Sequence, residues 1–62
     1  MFTLVSMNSI HFASVITAIN AYRALRANGL YCVLDGKSIK FETTEDAETA
    51  EFILPSYHIN AL

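Results

Sequence analysis

A chain of 62 residues makes a single domain, residues 1–62, and one this short buries only about 60% of the surface it exposes when unfolded. Its apolar content of 53% is high, and its one cysteine, Cys32, excludes a disulfide framework and points to a reducing, cytoplasmic setting. Four basic against six acidic side chains, a net charge of −2, argue against a dedicated nucleic-acid binder. The signs are segregated all the same. Arg23, Arg26, Lys37 and Lys40 precede Glu42, Glu45, Asp46, Glu48 and Glu51.

The first element, residues 2–7 (FTLVSM), is rich in strand formers and mostly apolar on both faces, as in a strand with neighbours on either side. The next run predicts a helix over 9–28. Asn8 or Ser9 caps it, and Gly29 closes it because glycine takes a left-handed C′ geometry without steric cost. At 100° per residue, Phe12, Val15, Ile16, Ile19 and Tyr22 share one arc, the expected core stripe. The opposite side, with Ala13, Ser14, Thr17, Ala21 and Ala24, is small rather than charged. It reads either as an ordinary exposed face or as a second contact surface, with Ala21 and Ala24 as its candidates. No lysine or arginine and no cleavage box mark a signal peptide at the start. Ser6, Asn8, Ser9, Ser14, Thr17 and Asn20 break up the apolar run that a membrane span requires.

Asp35-Gly36, between two apolar-patterned runs, predicts a β-hairpin with these two residues at the centre of a tight turn. The expected register pairs Leu34 with Lys37, Val33 with Ser38 and Cys32 with Ile39. One face then collects Leu30, Cys32, Leu34, Ile39 and Phe41, and the other Tyr31, Val33, Ser38 and Lys40.

A second helix is predicted over 45–54, capped by Thr43 or Thr44, with Glu45 and Asp46 meeting the unpaired N–H groups of its first turn. Ala47, Ala50, Ile53 and Leu54 point inward, Pro55 stops the helix, and Phe52 falls off the inward stripe. The tail, residues 56–61, alternates as a short strand does. The class is therefore α+β, with both helices on one face of the sheet. The order is β-α-β-β-α-β, a ferredoxin-like arrangement, or β-α-β-β-α with three strands if the tail does not pair.

No motif for an enzyme is present, since two isolated glycines make no phosphate loop. His11, His58, Cys32 and Asp35 have no metal-ligand spacing, and Cys32 points into the expected core. No catalytic residue, metal or cofactor is assigned. The expected function is that of a small non-enzymatic adaptor, regulator or inhibitor that acts by protein–protein contact and self-associates as a dimer or higher oligomer. The candidate contact residues are Tyr31, Val33, Lys40, Arg23, Arg26 and Phe52, besides Ala21 and Ala24. The alternative is a single-stranded nucleic-acid module built on an Arg23/Arg26/Lys40 patch with Tyr31 as a stacking ring.

Overall fold

The computed structural model describes residues 8–62, so the strand expected over 2–7 lies outside the described residues. The elements are β1 (Ser9–His11), α1 (Val15–Ala27), β2 (Val33–Asp35), β3 (Ser38–Lys40) and α2 (Thr44–Ile53), followed by a 3-10 turn, Leu54–Tyr57. Together they form an α+β fold whose three-stranded antiparallel sheet has the order β1-β3-β2.

β1 lies where the sequence predicts the start of the long helix. The cap is Ser14, not the expected Asn8 or Ser9. Its backbone is extended, and its hydroxyl accepts from the N–H of Thr17 at 3.1 Å. Ser9, Ile10 and His11 are thus released to pair with Lys40, Ile39 and Ser38, with Ile10 buried between its polar neighbours. At its other end α1 closes as expected. Gly29 takes φ +80°, its N–H donates to the Arg26 carbonyl, and the Leu30 N–H donates to the Leu25 carbonyl at 3.0 Å. Leu30 packs back on the core, completing the left-handed cap.

The hairpin forms, but its register is shifted. Val33 pairs with Lys40, Leu34 with Ile39 and Asp35 with Ser38. The two central residues are Gly36 and Lys37 rather than Asp35 and Gly36. Gly36 sits at φ +64°, while neither Asp35 nor Lys37 has a positive φ. A glycine at the first central position suits the Gly-X form of the two-residue turn, which needs one positive φ rather than two. The shift moves each partner by two residues, so the faces keep their membership. Cys32, Ile39 and Phe41 are buried, Leu30 and Leu34 half-buried, and Tyr31, Val33 and Lys40 exposed.

The facing of α1 is the main correction. Ala18, Ala21, Ala24 and Leu25 are buried, whereas Val15, Ile16 and Ile19 of the expected core stripe are exposed, Ile16 by 71%. Phe12 is buried, but ahead of the helix, and Tyr22 is half-buried. Ala21 and Ala24 therefore belong to the chain's own core and present no surface to a partner. The reason is space. Phe12, Ile39, Phe41 and Leu54 occupy the layer between three short strands and two helices, and α1 adds to it one large side chain, Leu25, and the methyl-sized Ala18 and Ala21, which let the helix come close.

α2 follows its expectation. Thr43 accepts from the Asp46 N–H at 3.1 Å, Ala47 and Ala50 are buried, and Glu45 and Asp46 occupy the first turn. The α-helix ends at Ile53, ahead of Pro55 as expected, and the chain tightens into the 3-10 turn with Pro55 near its start, which closes at His58 in a left-handed conformation, φ +60°. The tail does not become a strand. Among the described residues the sheet has three strands, and the tail touches it through one backbone bond, from the Leu62 N–H to the His11 carbonyl at 2.9 Å. No helix among the described residues is long and apolar enough to cross a membrane.

Candidate contact surface

Three surfaces of the described chain carry side chains with chemistry of their own. The first is the helix-free face of the sheet. One row across it holds His11, Ser38 and Asp35, and the next holds Ser9, Lys40 and Val33. His11 Nδ1 lies 2.7 Å from Ser38 Oγ, and Lys40 Nζ lies 3.2 Å from Asp35 Oδ2. A serine, a histidine and an aspartate in one row do not make a hydrolase. The serine stands in the middle, so the carboxylate cannot orient the ring that would activate it, and the aspartate is engaged by Lys40. The face is mostly polar, with Val33 as its apolar member.

The second surface is a hollow of about 190 Å³ lined by Ile10, Glu51, Leu54, Pro55, Ile59 and Asn60. It falls below the roughly 300 Å³ of the smallest ordinary ligand pockets, and one carboxylate is its sole charge. Among the described residues no three His, Cys, Asp or Glu side chains gather as a metal site. Cys32 is buried. Desolvation pushes its thiol above the ordinary range, with the Arg26 charge pulling the other way, and this disfavours the thiolate that nucleophilic chemistry needs.

The third surface is the outer side of the helical layer. With Ala18, Ala21 and Leu25 turned inward, the helical period places Ile16, Ile19 and Arg23 outward on α1. Val15 and Arg26 lie on the flank toward β2. The Arg26 guanidinium sits over two rings, 5.9 Å from the Tyr22 centroid and 5.7 Å from that of Tyr31. On α2 the same period places Glu45, Glu48 and Phe52 outward, with Phe52 82% exposed. The Lys40–Asp35 contact is the one ion pair among the described residues. Neither Arg23 nor Arg26 is paired with any described carboxylate.

Beside this layer runs the outer edge of β2. Backbone bonds from Phe12 to Lys37 and from Phe41 to Asn8 show that the odd residues of β3 face β1. Ser38 and Lys40 then bond to Asp35 and Val33, which leaves the N–H and C=O of Leu34 directed outward from the sheet.

The expected residues thus divide among different places. Tyr31, Val33, Arg23, Arg26 and Phe52 are exposed, but Lys40 is held by Asp35 on the sheet face while Arg26 stacks on tyrosines at the helix flank. The sequence reading missed Ile16 and Ile19 as surface residues. The available signal was that Arg23 and Arg26, the charged residues of α1, fall on the same arc as Ile16 and Ile19, which marks that arc as the outer one.

Comparison of the chain with protein-family models, with characterised proteins and with solved structures finds no match.

Proposed function

We propose that this is a small non-enzymatic protein that acts by protein–protein contact, as an adaptor, regulator or inhibitor, and that it self-associates. The observation that carries this reading is the outer side of α1, where Ile16 is 71% exposed beside Val15 and Ile19. Three β-branched side chains on one side of a short helix cost hydration in an isolated molecule. A single exposed apolar residue is ordinary; a row of them on a chain this small favours a partner. The edge of β2, unpaired among the described residues and with Val33 and Tyr31 beside it, offers backbone bonds to the same purpose.

For the fold we propose the ferredoxin-like arrangement. β1 and β2 flank β3, and the Leu62 N–H reaches the edge of β1 where a fourth strand would lie. The lone buried cysteine supports a cytoplasmic setting.

Sedimentation equilibrium tests the reading. We expect a dimer or larger assembly at micromolar concentration, and an ideal monomer up to about 100 μM, far above a Kd of about 1 μM, removes self-association. The nucleic-acid alternative has less support, because Asp35 holds Lys40 and Arg26 covers Tyr31. Salt-dependent anisotropy of a labelled single-stranded RNA would restore it.

A further inference from the structure

The outer sides of α1 and α2 carry complementary patterns. Along α1 the order is apolar then basic: Ile16, Ile19, Arg23. Along α2 it is acidic then apolar: Glu45, Glu48, Phe52. The spacing is the same in both, three residues and then four, so that the first and last side chains lie about 10 Å apart on each helix. α1 follows β1 and α2 follows β3, and those strands are antiparallel. The two helices therefore run in opposite directions over one side of the sheet, with their outer sides facing the same way.

We propose that the partner at this surface is a second copy of the chain, with α1 of one copy antiparallel against α2 of the other. The proposal rests on the protein-contact reading above and names its occupant. A two-fold axis lying between the helices and along them keeps each helix direction while exchanging their positions. It sets α1 over the partner's α2 in the antiparallel sense. Ile16 then meets Phe52 of the partner subunit, and Arg23 meets Glu45 of the partner subunit, with Ile19 and Glu48 between the ends.

The other orientations fail on charge and polarity. A parallel crossing sets Ile16 on a glutamate and Arg23 on a phenylalanine. α1 against a second α1 in the antiparallel sense sets isoleucine on arginine. The two-fold form makes each contact twice and closes at two copies. It also supplies carboxylates for Arg23 and cover for Phe52, neither of which the described residues of the single chain provide.

The test uses two variants at exposed positions. One is Arg23→Glu, and the other carries Glu45→Arg and Glu48→Arg. Either alone places like charges at both contacts, whereas an equimolar mixture restores opposite charges at both. We expect a dimer for the natural chain, at least a tenfold weaker association for each variant alone, and recovery of the dimer on mixing. Far-UV circular dichroism confirms that each variant is folded. Phe52→Ser, which changes no charge, should weaken the dimer by a similar factor. Dimers that persist in both variants, or variants that do not associate when mixed, overturn this pairing and leave self-association standing through another surface. A natural chain that remains monomeric overturns both.

Discussion

The side-chain amide of Asn28 donates to the Tyr57 hydroxyl at 3.0 Å and to the Ala24 carbonyl at 2.8 Å, so one residue ties the end of α1 to the 3-10 turn that follows α2. This link joins parts of the chain 29 residues apart. It links α1 to the segment that follows α2, on the same side of the core as the buried Ala21 and Ala50.

A double-mutant cycle with Asn28→Ala and Tyr57→Phe isolates the Tyr57 bond from the Ala24 bond. The coupling should be about 0.5 kcal/mol, the low end for a neutral hydrogen bond, since this one is exposed to water. Urea unfolding of the four proteins measures it. Additive effects would show that the contact does not tie α1 to the turn.

Core and surface on α1 are to be told apart by substitution. Ala21→Leu forces extra methylenes into a fully buried site and should cost about 1–3 kcal/mol. Ile16→Ser should change the stability of the single chain by less than about 0.5 kcal/mol, because Ile16 is mostly in water. Thermal unfolding at low concentration, where self-association is absent, checks both. The opposite ranking would mean that α1 is rotated by about half a turn.

Gly36→Ala should destabilise by about 1–2 kcal/mol, and Gly36→Val by more, while Lys37→Ala is close to neutral. A Cβ at Gly36 would meet nothing within 4 Å, so the whole cost would lie in the backbone at φ +64° rather than in a clash. Equal stabilities for substitutions at the two positions would contradict the turn.

Cys32 supplies a pH dependence with a definite sign. Burial raises its folded-state pKa, so the unfolded chain loses the thiol proton first as pH rises. The associated stability is whole below the ordinary thiol value, about 8.5, and is lost as pH climbs from there toward the folded value. The stability advantage of the natural chain over Cys32→Ala should shrink as pH rises above about 8.5, as read by urea unfolding at each pH. A constant difference would place the thiol in contact with water.

Features that rest on local chemistry were legible in the sequence. Thr43 starts α2 through its hydroxyl and Gly29 closes α1 because it carries no Cβ to oppose a positive φ, and Ala47, Ala50 and Leu54 face inward because α2 has a charged side to contrast with them. The hairpin faces were legible for the same reason, since a register moved by two leaves Ile39 and Phe41 inside. The register itself was not, because Asp-Gly and Gly-Lys are both good turn centres. The facing of α1 was hidden by its composition. Both of its arcs hold apolar residues, and the choice between isoleucines and alanines is made by how much room Phe12 and Phe41 leave, a tertiary quantity. Of the candidate surface, Phe52 and the two arginines were visible as misfits, while Ile16 was disguised as core.

The outward-facing backbone of Leu34 has a consequence for growth. On the opposite side of the sheet the Leu62 N–H already bonds the His11 carbonyl, so the two edges are unequal. Among the described residues Leu34 offers a strand template at the β2 edge, whereas the Leu62 N–H already occupies one acceptor at the β1 edge. An added strand is therefore accepted more freely beside β2 than beside β1.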